Sequence, residues 1–402
     1  MQPSDFTPNA PGRLLRSPRG YWAFIPNPLP PALAVDWELV NSLSKADRTL
    51  SELAGIARTL PNPHLLIGPF IRREAVLSSR IEGTQASYSD LLFFEASGIV
   101  DPRTPDVREV ANYVQALEYG LARMNELPLS LRLIREIHER LMTSVRGEHL
   151  TPGEFRRSQN WIGPPGCALN DAVFVPPPED EMKAALADLE IYWHTPSTLP
   201  PLVRLSLIHY QFEAIHPFLD GNGRIGRLLM TLLLCVEGLL KEPLLYLSAY
   251  FDRYREHYYQ HLLAVSQRNA WRDWIDFFLR GVADQARDAV QRSGQLLDLR
   301  EDYRRRLPAI SSSALLPRLM DELFAYPAIT IAQVAERLGI TPRAAGLNVE
   351  KLVKAGLLRE ITGQQRNRIF VAPDIVQIVE APLSAAEKTD RLIPPPLAGS
   401  QP

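Results

Sequence analysis

Only two cysteines, Cys167 and Cys235, occur in 402 residues. That is too few for a disulfide framework, and neither belongs to a C-x-x-C pair. Such usage suits a reducing compartment and leaves Cys235 as a small apolar core residue. Long hydrophobic runs are missing too: the longest, residues 228–236, is about half of what a membrane-spanning helix needs. The N-terminal stretch MQPSDFTPNAPGRLLRSPRGYW has no apolar segment of the kind that makes a secretory signal. The expected location is cytoplasmic, with no membrane partner. Excess charge of either sign is also absent: 44 Lys and Arg against 46 Asp and Glu leave a net charge of -2, so no whole-chain field draws a polyanion. No internal repeat with a period of about 20–50 residues is visible.

What is there is an ordinary globular balance, 46% apolar and 22% charged, in a chain long enough for about two to three domains. Residues 1–20 are rich in Pro, Arg and Ser and read as disordered. Helical spacing runs from 36 to 59 and breaks at LPNPHLL, where two prolines fall close together. It resumes over 69–81, with Phe70, Ala75, Leu77 and Ile81 at helical intervals. Further amphipathic helices are expected at 107–123 and 129–145. Between 155 and 178 the character changes to NWIG, a Pro-Pro-Gly bend, ALND and VFVPPP. Short β-prone pieces around an Asn170-Asp171 turn predict a hairpin there. Helical patterns return at 180–194, 201–216, 224–239, 252–267 and 271–293. The stretch after Glu380, ending PPPLAGSQP, reads as disordered.

The chemistry concentrates in HPFLDGNGRIGR, residues 216–227. Leu205, Ile208, Phe212 and Ile215 recur on one helical face, so a helix leads up to His216, and Pro217 stops it. Asp220, Gly221, Asn222 and Gly223 tolerate positive φ and expose backbone N–H groups. Ile225, Leu228, Leu229, Leu232 and Leu233 then open an apolar helix. A glycine-rich turn that feeds a helix N-terminus is an anion site, because unpaired N–H groups and the positive end of the helix dipole coincide. Arg224 and Arg227, one turn apart in that first stretch, oppose the dipole and make sense beside an anion. Asp220 is a hard oxygen ligand suited to Mg²⁺ on nucleotide phosphates, and His216 titrates near neutrality, as a general base does.

Three plainer readings stand beside this one: a mere turn, a satisfied histidine, and solvated arginines. Each is common alone; their concurrence within twelve residues argues against all three together. Gly221, Gly223 and Gly226 also spell G-x-G-x-x-G, with Glu242 near the offset of a ribose-binding acid. That fingerprint needs a preceding strand in a βαβ unit, and here a helix precedes it. His209 and His216 could share a face as metal ligands, but no further His or Cys lies nearby to complete a site.

The segment HPFLDGNGRIGR resembles the signature of Fic-domain proteins, HxFx(D/E)GNGRxxR, at every fixed position. The resemblance covers about residues 20–290 and implies a mainly α fold, the Fic helical fold with a β-hairpin flap. It also implies a protein adenylyltransferase. His216 would deprotonate a Tyr, Thr or Ser hydroxyl of a target protein, or of the chain itself, and the hydroxyl would attack the α-phosphorus of ATP and expel pyrophosphate. Asp220 would hold Mg²⁺, and Gly221, Asn222 and Gly223 would supply the anion cradle. Arg224 would bind phosphate and Arg227 the γ-phosphate, with Ile225 and Gly226 completing the ATP-binding run. The domains implied are an N-terminal helical region over 21–110 and a catalytic core over 111–295 with its flap at 160–178.

Three further features follow from the same resemblance. Ser78 and Glu82 lie four residues apart on one helix face before Gly83, and SSRIEG matches (S/T)xxxE(G/N), the inhibitory helix of the family. Glu82 would pair bidentately with Arg227 and occupy the γ-phosphate position; a water placed by Glu82 would instead favour AMP removal. The flap would dock a target segment by strand addition, with Ile162, Phe174 and Val175 as clamping residues. In FDRYREHYYQHL, Tyr254 and Tyr258 are candidates to flank the adenine, although many relatives carry Asn at the position of Tyr254. Core packing is the competing role for both. Trp271, Trp274 and Phe278 read as core.

From residue 313 to 373 the pattern is a winged helix-turn-helix: a helix at 315–324, one capped by Thr330, one opening at Thr341-Pro342, and a two-stranded wing. Eight Lys and Arg face five acids there. Arg343, Asn348 and Lys351 would meet a DNA groove, with Arg366 and Arg368 on the wing, and protein docking is the alternative. The remaining expectations are a homodimer, a disordered tail over 381–402, and an ATP-sensing DNA-binding regulator as the rival to the transferase.

Overall fold

Helical periodicity, interrupted by proline- and glycine-bearing turns, carries the chain through fifteen α-helices among the described residues. These residues, described by a computed structural model, are 1–59, 64–101, 103–310 and 313–381. A hairpin of β1 (Gly12–Arg16) and β2 (Trp22–Pro26) precedes α1 (Trp37–Thr59), α2 (His64–Ile81) and α3 (Tyr88–Ser97). Then come α4 (Val107–Arg123), α5 (Leu131–Leu141), α6 (Glu179–His194), α7 (Pro201–Ile215) and α8 (Asn222–Val236). The body closes with α9 (Ser248–Arg253), α10 (Arg255–Arg268) and the 40-residue α11 (Trp271–Ile310). A terminal module follows: α12 (Leu315–Ala325), β3 (Ala328–Thr330), α13 (Ile331–Leu338), α14 (Pro342–Lys354), β4 (Arg359–Glu360), β5 (Ile369–Val371) and α15 (Pro373–Glu380).

Several expectations need correction. Residues 1–20 are ordered: a 3-10 turn at Pro3–Asp5 leads into β1, which pairs antiparallel with β2. Phe6 stacks on Phe24 at 5.4 Å and the Met1 amino group donates to the Ala172 carbonyl at 2.6 Å. Composition pointed to solvent, but three of the apolar residues in the segment, Met1, Phe6 and Leu14, pack on the core. Helix α2 starts at His64 with Pro69 inside it. So near the helix start, Pro69 forgoes only the bond to the Leu65 carbonyl. The expected 252–267 helix is two, broken at Tyr254 (φ -113°, ψ 39°), and α11 runs well past residue 293. The wing gains a third strand, because β3 pairs with β5 in the order β3-β5-β4. Helix α3 was not anticipated, although its Ser87/Asp90 capping box and left-handed Gly98 are sequence signals. The tail expected to be disordered lies, from 382 on, outside the described residues.

Helix α11, about 60 Å long at 1.5 Å per residue, is the spine. Its first half packs against α1 and α7, and its second half against α12 and α15. One continuous apolar core therefore includes both the helical body and the terminal module. That module leans on α2. A Cβ at Gly68 would stand 2.6 Å from the Ala325 carbonyl oxygen, so the close approach of α2 to α12 requires glycine there. Beside it Arg72 pairs with Glu95 at 2.6 Å and lies 5.0 Å from the Tyr326 ring. No helix among the described residues is long and apolar enough to cross a membrane.

Phe24, fully buried between Phe6 and Phe174, ties the N-terminal hairpin to the flap. Phe24→Ala is expected to cost about 3–5 kcal/mol in chemical denaturation, and to open residues 1–26 to limited proteolysis.

Candidate active site

The loop between α7 and α8 is shaped by side chains that bind its backbone. Helix α7 ends at His216, which adopts a left-handed conformation (φ 50°, ψ 62°) rare for a residue with a Cβ. The His216 carbonyl accepts from Arg156 Nε at 2.9 Å and from Asn160 Nδ2 at 3.2 Å. The Asn222 side chain accepts from Phe218 N–H and donates to the Phe218 carbonyl, both at 2.8 Å. Of the expected cradle, then, the side chain of Asn222 is committed to the loop, which leaves its backbone N–H as the group it could offer an anion. His138 holds the turn from below. Its ring stacks on Phe218 at 3.7 Å, Nδ1 accepts from Gly153 N–H and Nε2–H donates to the Asp220 carbonyl at 3.0 Å. Burial pushes its imidazole down to about 4, which fits that neutral tautomer, assigned from the network.

His216 itself donates Nδ1–H to the Glu213 carbonyl at 3.3 Å, leaving Nε2 as the acceptor nitrogen. Burial, helped by the Arg156 charge, pushes this imidazole down to about 4, so it is unprotonated at neutral pH.

Arg227 and Glu82 meet at the head of α8. The Arg227 side chain is 1% exposed. Its Nε donates to Ser78 Oγ at 2.9 Å and one terminal nitrogen donates to the Ser78 carbonyl at 2.9 Å and to Glu82 Oε1 at 2.7 Å. The pairing expected to be bidentate is thus single, because Ser78 occupies Nε and shares the terminal nitrogen that reaches Glu82. The Glu82 carboxylate is 35% exposed. Burial raises its proton affinity, but Arg227, Arg224 and His216 outweigh that and hold it below the usual carboxylate range. A Cβ at Gly223 would lie 2.3 Å from Glu82 Oε1 and 2.9 Å from an Arg227 nitrogen, so Glu82 rests directly against the N-terminal turn of α8. It occupies the place where the unpaired N–H groups of that turn would hold an anion.

Arg224 turns the other way, to Glu109 at 3.2 Å and Asp220 Oδ1 at 3.6 Å. Glu109, on α4, was missed by sequence reasoning, since nothing near it in the chain marks it. Burial raises its carboxyl and Arg224 opposes that. Asp220 also accepts from Gly221 N–H at 2.6 Å and its side chain is 39% exposed. No group of three or more His, Cys, Asp or Glu gathers around a common point among the described residues.

Ile225 is buried in the core and offers only backbone to a ligand. Gly226 lets the Glu213 carboxyl approach: a Cβ there would lie 2.2 Å from Glu213 Oε1. Burial raises that carboxyl to about 7, and Arg227 opposes the rise.

Tyr258 does not flank a base. It is buried, its hydroxyl donates to His209 Nε2 at 2.8 Å, and its ring stacks on Phe251 at 4.5 Å. His209, bound also to the Gly226 carbonyl at 3.3 Å, is a core histidine and no ligand. Tyr254 caps α10 and packs on Tyr250 at 4.9 Å. The neighbour Tyr259 is the partly exposed ring that feels Glu82 and Arg227; partial burial and the Glu82 charge raise its phenol to about 12. In the flap only one bridge forms, Ile162 with Phe174, around a 3-10 turn at Leu169–Asp171. Ile162 faces out with Trp161 and Val173, whereas Phe174 and Val175 are buried against Phe24 and Ala23 and cannot clamp a target.

Family comparison agrees with this geometry. Residues 40–122 match the Fic/DOC family N-terminal model and 128–234 the Fic/DOC family model. The chain is a Fic-domain protein. Residues 316–370 match an HTH DNA binding domain. Curated relatives include the protein adenylyltransferase Fic of Drosophila erecta, 28% identical over 172 residues, which are 42% of this chain and 31% of that protein. The Drosophila melanogaster counterpart is 27% identical over 172 residues, with the same coverage of 42% and 31%. The chain thus spans about a third of the length of these relatives. A crystal structure of a Fic family protein from Desulfovibrio desulfuricans G20 shares the fold, with a TM-score of 0.54 at 20% identity over 86% of this chain and 98% of that one.

In the terminal module Asn348 is buried and donates to the Ala344 carbonyl at 2.8 Å, so it does not meet a groove as expected. The outer face of α14 carries Arg343, Leu347, Glu350 and Lys354. Arg368 reaches Glu350 at 3.7 Å, and Arg366 stays exposed on the wing.

Gly223→Ala is expected to lower stability by about 1–3 kcal/mol, as overpacking does, read by thermal melting.

Proposed function

We propose that this protein is an adenylyltransferase that moves AMP from ATP to a protein hydroxyl and is held off by Glu82. The observation that carries the reading is the Glu82 carboxylate lying on the head of α8 against Arg227, where a nucleotide phosphate belongs. In the reaction the target Tyr, Thr or Ser oxygen gives its proton to His216 Nε2 and forms a bond to the α-phosphorus. The bond from that phosphorus to the β-bridging oxygen breaks, and pyrophosphate leaves. Backbone N–H groups of Asn222 and Gly223, with Arg224 and Arg227, offset charge on the phosphates, so catalysis is positioning plus charge neutralisation.

The partly exposed Asp220 fits a single-carboxylate Mg²⁺ site completed by nucleotide oxygens and water, and the ion would neutralise phosphate charge. Target docking falls to the Trp161–Ile162 edge and Val173, which face outward.

The helix-turn-helix match supports a second reading, a DNA-binding regulator that senses ATP. On α14 one exposed leucine and one acid sit between two bases, a face less suited to phosphate than to protein. Intact-mass measurement after incubation with Mg·ATP separates the two. Wild type is expected to gain little AMP, and Glu82→Gly at least about tenfold more, a gain of about 1.4 kcal/mol. Adding His216→Ala is expected to cut transfer by about 10²–10⁴-fold, the usual worth of a general base. No covalent AMP on any variant, together with ATP-dependent retention on duplex DNA, would instead favour the regulator.

A further inference from the structure

Arg156 has no role in the chemistry described so far, yet it is the most confined cation near the base. It is 1% exposed and no carboxylate lies within ion-pairing distance among the described residues. All its recorded acceptors are main-chain carbonyls. Nε donates to His216 at 2.9 Å and one terminal nitrogen to Ser158 at 3.3 Å. The other donates to Pro177, and to Ile215 at 3.4 Å. Its own N–H donates to the Pro217 carbonyl at 2.9 Å. Ser158 and Pro177 are the two roots of the flap; Ile215, His216 and Pro217 are the catalytic loop.

A clamp between carbonyls alone needs no charge, and a neutral amide would avoid the cost of burying a cation without a counterion. Burial accordingly pushes the Arg156 guanidinium down to about 10, with Tyr21 and Glu179 opposing. The charge has another consequence. His216 faces the carboxylates of Glu82, from beyond α2, and Asp220, from its own loop, and it donates to the Glu213 carbonyl of α7. Each of these favours the imidazolium, and Arg156 is the cation that opposes them.

We propose that Arg156 is the positioning residue of the reaction: it fastens the left-handed backbone of His216 to both roots of the flap and keeps the imidazole free to accept a proton. The segment that docks the target and the loop that carries the base then move as one piece. The assignment rests on the AMP-transfer reading, and it adds that flap and base are mechanically coupled through one guanidinium.

The test uses the full chain carrying Glu82→Gly, with self-transfer of AMP followed by intact mass and ADP with Mg²⁺ as the binding probe. Arg156→Gln is expected to slow transfer by about 10²-fold, the usual result of a misplaced reacting group. It should leave Mg·ADP affinity unchanged and move the acid limb of the rate profile to higher pH. Arg156→Lys keeps the charge and one donor, and is expected to recover the parental acid limb and part of the rate. A folded Arg156→Gln protein with parental rate and acid limb overturns the proposal. So does loss of rate together with loss of ADP affinity, which would make Arg156 a general scaffold residue. If thermal melting shows that Arg156→Gln does not fold, Arg156→Lys decides: a full parental rate overturns the need for the fork. If the Glu82→Gly parent itself transfers no AMP, the transferase reading fails separately. Titration of the His216 ring by NMR of ¹³C-histidine protein, assigned with His216→Ala, then still judges Arg156: an unmoved titration in Arg156→Gln counts against it.

Discussion

The burial of one guanidinium, that of Arg227, sets the terms for the rest of the site. A cation at the N-terminal end of a helix adds to the dipole's own positive end, and at 1% exposure water cannot screen it. An anion beside it is therefore strongly favoured, and removing the one carboxylate that pairs with it among the described residues, without replacement, is destabilising. Glu82 meets that need, and Ser78 takes Nε and shares the terminal nitrogen that Glu82 binds. Gly223 has to be glycine for the carboxylate to come so near. On the proposed reading, release from inhibition exchanges one anion for another and never leaves Arg227 bare.

That exchange is constrained by what lies behind α2. The helix is anchored along its length by Gly68 under Ala325, by Arg72 with Glu95 and Tyr326, and by Arg73 with Asp288 at 3.0 Å. Asp288 is bound in turn by Arg292, which holds carbonyls at the end of α15. Withdrawing α2 as a rigid rod means breaking several buried contacts at once. Moving Glu82 alone breaks one hydrogen bond of a carboxylate already a third exposed, at a helix end followed by Gly83 in the left-handed region (φ 98°) with open space around it. The smaller motion is the less costly, so the terminal module steadies the helix, and on the proposed reading the release of Glu82 is a matter of the last turn.

How much of this was legible in the sequence depends on what kind of constraint each residue obeys. Gly221, Gly223 and Arg227 answer to backbone geometry and local charge, which spacing displays directly. The Ser78–Glu82 pairing rested on a family pattern, and the structure puts both residues on Arg227. Residues that act across the fold left no local mark: Arg156, Glu109 and His138 come from distant segments and look ordinary in their own. Tyr254 and Tyr258 show the limit of helix-face arithmetic, for a break at Tyr254 changes the phase and turns Tyr259 to the site in place of Tyr258. In the flap, alternation identified an extended segment but not its faces. Phe174 and Val175 point inward because Ala23 and Phe24, in the second strand of an N-terminal hairpin whose first strand lies in the stretch read as disordered, cover them.

His216 was singled out as the group that titrates near neutrality, yet burial moves it to about 4. On the proposed reading its fitness as a base at pH 7 therefore comes from being already unprotonated, at the cost of low proton affinity, which is a disadvantage for general-base catalysis. The negative charges facing it raise that affinity and Arg156 lowers it. If a triphosphate takes the place of the single carboxylate of Glu82, the negative charge beside the imidazole increases and its basicity rises. The nucleotide that lifts the inhibition would thus strengthen the base that uses it, and the two events share one cause, the anion seated at the head of α8.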